Sequence, residues 1–361
     1  MRKRHKKAKI GVIVGGGTGE ELAHIFIQTL RTIAQKFDRD VDIIKCEYRF
    51  KTYKEIRSLA VRNAREIVEK EIKILENFYR EFYLEGGRAI FRTAINAEIL
   101  YEFRRRHMVV KIIPILSRHI LIIRDSTQGY YANDNYEVVN EQIIFEGSYK
   151  KKNLKAIIDY SIAEAQGIWN KPFEIWIVYK HHLFGGVLEQ WIRDICPNAK
   201  IYQPNHATEL LWSFFANPND KNLLLIMGNE IADILHEELI FALNLGTRQT
   251  LFSKNVFLEE DLKGLKEYQT VHGSADDIRG KNLVNPIATL RIVADIAEHE
   301  MGIENFRAIM EEAISYARKN VLKPFTTEIV NCVQDYIVNI REKGGLIHEK
   351  LNSHNKRNAT A

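Results

Sequence analysis

The chain has 361 residues, 45% hydrophobic and 27% charged, which fits a globular protein with a sizeable core and excludes a disordered or fibrous chain. Its net charge of +5 is modest and partly sits in the opening run MRKRHKKAK, which reads as a solvated terminus rather than a nucleic-acid surface. No stretch approaches ~18 uninterrupted apolar residues, so no membrane span is expected.

The apolar run after the basic terminus, Ile10 to Val14, is too short for a secretory signal. Cys46, Cys196 and Cys332 are scattered without metal spacing, as expected of free thiols in a reducing cytoplasm.

Taken in order, Lys9 to Val14 reads as a buried strand. Gly15-Gly-Gly-Thr-Gly-Glu-Glu then opens a helix over Leu22 to Phe37, a strand–glycine turn–helix beginning in which the GxGxxG spacing is incomplete. Val41 to Cys46 is a second strand, and Thr52 to Tyr83 a charged helix whose apolar positions fit core packing. After Gly86-Gly87, the pattern from Ala89 to Phe103 restarts a helix, which ends in Arg104, Arg105, Arg106 and His107. That cluster suits either a helix C-terminus or a carboxylate ligand.

Ile120 to Ile123 is a short strand leading into Arg124-Asp-Ser-Thr-Gln-Gly-Tyr-Tyr, and Val138 to Tyr149 an alternating strand pair. A helix over Asn153 to Trp169 precedes the buried strand Phe173 to Tyr179, which ends in Lys180-His181-His182. Adjacent residues on a strand face opposite ways, so the two histidines do not make a shared metal set. Helices follow at Gly186 to Ile195 and Ala207 to Phe215, then a strand, Leu223 to Met227. Asp233 and Glu237 stand at i,i+4 on the next helix, usually a solvated pair but also two hard oxygen ligands on one face. The stretch Val271 to Pro286, VHGSADDIRGKNLVNP, is a polar, glycine-broken loop feeding an apolar helix. Such loops are mostly turns, yet they can cradle a nucleotide through free N–H groups and a carboxylate. Helices over Glu304 to Lys319 and Phe325 to Lys343 close the pattern, and 346–361 read as a disordered tail.

That loop resembles a family. HGSADDIRGKNLVNPIATL is similar to the HGSAPDIAGKGxANPxAT loop of the isocitrate and isopropylmalate dehydrogenases, with His272, Gly273, Ser274, Ala275, Asp277, Ile278, Gly280, Lys281, Asn285 and Pro286 in common. Arg124 to Tyr131 resembles the family's R-E-N-T-E-G-x-Y, Lys180 the lysine of V-x-K-A-N, and Asn229 to Glu238 the run N-x-x-G-D-I-L-S-D-E. The opening turn departs from GDGIGPE at Gly16, Thr18 and Glu20.

The resemblance implies an α/β, two-domain isopropylmalate-dehydrogenase-like fold with an interdomain cleft. Residues 1–95 plus 240–345 would form a cofactor domain, and 96–239 a substrate and dimerisation domain. It implies oxidative decarboxylation of a malate-type 2-hydroxy acid in a cytoplasmic homodimer with shared sites. Lys180 and Tyr131 would be catalytic, and Arg106, Arg124, Asn96 and Arg92 would hold substrate. Asn96 stands where the spacing back from Arg106 calls for an arginine. His272, Gly273, Ser274, Ala275, Asp277 and Asn285 would bind the cofactor. Asp277 favours NAD over NADP, because a carboxylate repels a 2′-phosphate. Asp233, Glu237 and Glu209 would hold Mg²⁺ or Mn²⁺, Glu209 standing beside Thr208 where the family has an aspartate from the partner subunit. The departures at Gly16, Asn96, His182 and Thr208 support an alternative: a weakened relative serving as a nucleotide-binding regulatory subunit.

Overall fold

A computed structural model describes residues 7–115, 119–129, 136–216, 222–242 and 247–340. Its centre is a mixed sheet of ten strands in the order β2-β1-β3-β12-β11-β4-β5-β10-β8-β9. β1 (Ala8–Gly15) lies between β2 (Val41–Phe50) and β3 (Ala89–Arg92), parallel to both. Such a strand is covered on both faces, which is why AKIGVIVG is apolar apart from Lys9 rather than alternating. β12 (Lys266–Thr270) runs parallel to β3, and β11 (Phe252–Phe257) antiparallel to β12 and to β4 (Val109–Ile115). β5 (Ile120–Asp125) then reverses direction, and β10 (Asn222–Gly228), β8 (Phe173–Val178) and β9 (Lys200–Tyr202) follow it in parallel.

Helices cover both faces. On one, α1 (Gly19–Lys36) packs with α9 (Ile287–His299), α10 (Phe306–Asn320) and α11 (Thr326–Asn339), so the two ends of the chain share one core. Leu22, Phe26, Leu30 and Ile33 line the buried stripe of α1, and Phe26 stacks on Phe91 of β3 at 4.3 Å. Each such buried side chain is worth about 1.5–3 kcal/mol over an exposed one. On the other face lie α2 (Tyr53–Arg57), α3 (Val61–Leu84) and α4 (Ala97–Arg106), where Tyr79 and Phe103 meet Phe257 of the sheet. Further along, α5 (Lys151–Ile168) and α6 (Val187–Ile195) back β4, β5, β8 and β10 on one side, with α7 (Pro204–Ala216) and α8 (Asn229–Ala242) on the other.

The expected helix over Ala89 to Phe103 is corrected. Ala89–Arg92 is a fully buried strand between β1 and β12, and the helix starts only after Asn96, whose side chain accepts from Glu98 N at 3.3 Å. The helix expected over Thr52 to Tyr83 breaks at Ser58–Ala60 into α2 and α3, α2 opening on a capping box between Thr52 and Glu55. The strand pair expected over Val138 to Tyr149 is a hairpin of β6 (Tyr136–Val139) and β7 (Gln142–Phe145). β4, β11 and β12 were not legible as strands in the sequence. The tail 346–361 lies outside the described residues.

Candidate active site

The loop that carries the sequence resemblance follows the C-terminal end of β12. Ser274 O accepts from Thr18 N at 2.9 Å and from Thr18 Oγ1 at 3.1 Å, which docks the loop on the turn after β1. Gly17 makes this approach possible. Its φ is +59°, and a Cβ there would stand 2.2 Å from Ser274 O. Ala275 is also left-handed, and Asp276–Ile278 form one short helical turn. Asp276 accepts from Ser274 Oγ, and from Thr52 Oγ1 at 3.4 Å, while Asp277 stays exposed. Asn285 caps α9, its Oδ1 accepting from Ile287 N at 3.0 Å. His272 Nδ1 lies 2.9 Å from Gly273 O, its Nε2 is buried without a hydrogen-bond partner, and burial pushes the ring below the usual histidine range. Gly273 sits at the exposed crest of the loop.

From this loop a chain of contacts runs into the sheet. Thr52 follows Lys51, whose carbonyl accepts from Asn96 N at 3.0 Å. Thr93 Oγ1 accepts from Gly15 N at 2.7 Å, and Arg92 donates to Thr93 O at 2.9 Å. Arg92 is 1% exposed and also donates to Gln269 and, at 3.0 Å, to Glu267. Glu267 further accepts from Tyr79 OH and, at 2.6 Å, from Asn255 Nδ2. Arg104 Nη2 comes within 3.7 Å of it.

Register then extends the line. Glu267 lies opposite Asn255, Asn255 opposite Lys111, and Lys111 opposite Arg124, so one polar row crosses β12, β11, β4 and β5. At its far end Arg124 donates to Asp233 of α8.

The electrostatics follow from crowding cations in a dry place. Burial alone would raise the Glu267 carboxyl, yet the adjoining Arg92 and Arg104 hold it at about 2. Burial, with Arg124 and Arg104 beside it, drives the Lys111 ammonium well below the usual lysine range. Burial also depresses Arg104; Glu267 opposes this, and Arg92 and Arg124 add to it. Several donors have no acceptor: Arg92 Nε, Asn96 Nδ2, Arg104 Nη2 and Arg124 Nε are all buried without a hydrogen-bond partner. A buried donor left unpaired costs about 1–3 kcal/mol, more if charged, so these four groups carry an unmet hydrogen-bonding demand.

Of the expected substrate set, Arg92 and Arg124 stand near Lys111 on the polar row, while Asn96 caps α4. The structure seats Arg104, not Arg106, with them: Arg106 is half-exposed and donates twice to Glu76, at 3.0 and 3.1 Å. The helix turns about 100° per residue, so Arg104 and Arg106 face opposite ways.

Lys180 follows β8 on the surface, and His182 beside it contacts Gln203 at 2.7 Å. Tyr131 lies outside the described residues. Asp233 and Glu237 are one turn apart on α8, and Glu230, a turn earlier, keeps a buried Oε2 without a partner. Burial raises the Glu230 carboxyl, with Asp125 and Asp233 adding to it. Glu209 is exposed on α7. Among the described residues no three His, Cys, Asp or Glu converge as a complete metal set.

Sequence reasoning missed Lys111, Asn255 and Glu267. The available signal was a charge inside an apolar run, in Val109-Val-Lys-Ile-Ile and Leu265-Lys-Glu-Tyr-Gln, since a charged residue at an inward strand position needs a reason.

The ten-stranded α/β sheet thus carries the polar loop after β12 and a buried cationic row leading to helix-borne carboxylates. A family model for isocitrate/isopropylmalate dehydrogenase matches residues 90–337, and the chain belongs to that family. The 3-isopropylmalate dehydrogenase of Lactococcus lactis is 23% identical over 332 residues, covering 85% of this chain and 90% of the relative. That of Rhodopirellula baltica is 30% identical over 240 residues, 65% of this chain and 64% of the relative. With 3-isopropylmalate dehydrogenase A of Aspergillus niger the match is 26% over 212 residues and spans about half that protein's length, 55%. Among solved structures, the isocitrate dehydrogenase of Methylococcus capsulatus superposes with a TM-score of 0.60 at 16% identity, over 92% of this chain and 99% of that one. The TT0538 protein of Thermus thermophilus gives 0.65 at 15%, over 93% and 69%. No helix among the described residues is long and apolar enough to cross a membrane.

Proposed function

We propose that this chain oxidises a malate-type 2-hydroxy acid with NAD⁺ and releases the β-carboxylate as CO₂. The observation that carries the reading is the polar row from Arg92 and Glu267 through Asn255 and Lys111 to Arg124 and Asp233, set by strand register and ending in hydrogen bonds at both sides. The loop after β12 suits an adenosine, the middle of the row suits carboxylates, and its far end suits a divalent cation.

At the loop, Asp276 is already engaged and Asp277 is exposed, which leaves Asp277 to accept from a ribose diol and to disfavour a 2′-phosphate. The half-buried His272 and the loop amides would frame the adenine. NAD⁺, when bound, supplies the hydride acceptor. The carboxylates of Asp233 and Glu237, with the orphaned Glu230 oxygen beside them, are hard donors that fit Mg²⁺ or Mn²⁺, and Glu209 of a second copy would complete the set. Such an ion supplies electrophilic polarisation of the hydroxyl oxygen.

The chain's own residues do the rest. Arg124 and Arg104 orient carboxylates, because a planar guanidinium fixes both oxygens of the group. Lys180 would take the hydroxyl proton as the hydride leaves C2. The C3–C4 bond then breaks, CO₂ departs, and Tyr131 returns a proton to C3. Lys180 and Glu209 are both surface residues, and α7 and α8 present Trp212, Ile234 and Phe241 at 57%, 62% and 88% exposure, which supports a homodimer with shared sites. Residues 1–95 plus 240–345 would form the cofactor domain and 96–239 the other.

NADH formation from a panel of 3-substituted malates with Mn²⁺ tests the reading. Turnover that requires Lys180 supports it. Thr208 offers only a hydroxyl, bound back to Pro204 O at 3.1 Å, which favours a second reading as a nucleotide-binding regulatory subunit. Nucleotide binding with no turnover on any substrate selects that second reading.

A further inference from the structure

We propose that Asn282 is a positioning residue for the nucleotide: its side chain caps the first turn of α11, so that the loop after β12 and that helix order as one unit. This rests on the nucleotide reading of the loop and deepens it.

The φ of Asn282 is +58°, in the left-handed region. Glycine adopts that region readily, and asparagine is among the few side chains that tolerate it. A glycine would therefore satisfy the backbone here, and what the asparagine adds is its amide. Thr327 N donates to Asn282 Oδ1 at 3.0 Å, and Asn282 Nδ2 donates to Thr327 Oγ1 at 2.9 Å. The Asn282 carbonyl accepts from Thr326 N at 3.0 Å. Thr326, buried, closes the join from the helix side by donating its hydroxyl to Val284 O at 2.6 Å.

The helix lacks a cap of its own. The first N–H groups of a helix have no partner within it, and α11 opens on Phe325, whose side chain cannot accept a hydrogen bond. The acceptor comes instead from a residue 45 positions earlier in the chain. Beyond its first turn α11 is fixed: Val330, Val333 and Ile337 lie in the core shared with α1, and Gln334 Nε2 donates to Thr29 Oγ1 at 2.9 Å. The loop is thus tied to a firm element.

The tie falls where the loop needs it. On its early side the loop is docked by Ser274 on Thr18. On its late side it is held by Gly280 N, which donates to Glu21 Oε1 at 2.5 Å, and by Asn282. The exposed Asp277 is suspended between these anchors. A nucleotide that orders this span also orders the start of α11, and by linkage a firm helix start raises affinity for the nucleotide.

Amide exchange and calorimetric titration with NAD⁺ test the join in Asn282→Gly and Asn282→Asp. The glycine variant keeps the left-handed φ and removes both side-chain bonds. Its exchange is expected to rise about tenfold at Thr327 and across 275–281 together, as for a lost cap, with NAD⁺ bound about tenfold more weakly. Asn282→Asp keeps the acceptor for Thr327 N and restores most of both. In the parent chain NAD⁺ slows exchange at Thr327, which lies outside the loop, and in the glycine variant saturated with nucleotide that slowing is gone. A rise in the helix alone or in the loop alone overturns the proposal, as does a glycine variant that binds NAD⁺ like the parent. If the parent itself binds no NAD⁺, the nucleotide reading fails. Joint loosening of loop and helix then still supports the join, and independent loosening overturns it.

Discussion

Replacing Glu267 with glutamine removes the one carboxylate, among the described residues, that touches both Arg92 and Arg104. The carboxyl is held at about 2 from an ordinary 4.5. With about 1.36 kcal/mol for each tenfold change in proton affinity, this is about 3 kcal/mol of stability. It falls in the range for breaking one partner of a buried ion pair, roughly 3–5 kcal/mol. Because the folded value is depressed, the contribution is fully present above the unfolded value of 4.5 and is lost as pH falls toward 2. Urea unfolding at pH 7 therefore shows Glu267→Gln less stable by about 3 kcal/mol, with the gap shrinking to roughly half near pH 3. A variant as stable as the parent at pH 7, or a deficit that does not change with acidification, refutes the picture of Glu267 as the anion that neutralises the row.

Three further outcomes follow from the same geometry. Asp277→Ala weakens NAD⁺ binding by roughly tenfold, about 1.4 kcal/mol, in a calorimetric titration, and unchanged affinity removes Asp277 from the cofactor site. Gly17→Ala places a methyl 2.2 Å from Ser274 O at a left-handed φ, so the loop must shift. NAD⁺ affinity falls, and the backbone strain costs a further 1–2 kcal/mol or so in thermal unfolding; a variant that binds NAD⁺ normally shows that the loop is not held by this turn. Phe241→Asp puts a charge on a side chain that is 88% exposed on α8 and converts a dimer to a monomer in sedimentation velocity, whereas an unchanged sedimentation coefficient places the interface elsewhere.

The loop after β12 was legible as a family motif because its pattern is local. His272 to Asn285 carries its glycines, carboxylates and helix-opening asparagine within one stretch, and the motif survives without reference to the rest of the chain. The cationic row was not, because it is assembled by register between β12, β11, β4 and β5, and pairing partners far apart in sequence leave no periodic trace in any one strand. Those missed strands are the ones that carry Glu267, Asn255 and Lys111. That Arg104 rather than Arg106 is the buried one was not legible for a related reason: both stand on one helix end, and only the packing of α4 against the sheet decides which faces inward. Ala89–Arg92 read as helix because four residues are too few to show a period of two, and burial on both faces erases it.

The sharing of one carboxylate has a consequence for how this site can change over generations. Tyr79, Arg92, Arg104 and Asn255 all converge on Glu267, so a substitution at any one of them alters what the others require. Mutational effects within such a group do not add. A descendant moving from one substrate to another could not exchange these residues singly without passing through a poorly folded intermediate. Paired replacement, an arginine together with the glutamate, is the open route, and specificity in this lineage is expected to switch in coupled steps rather than to drift.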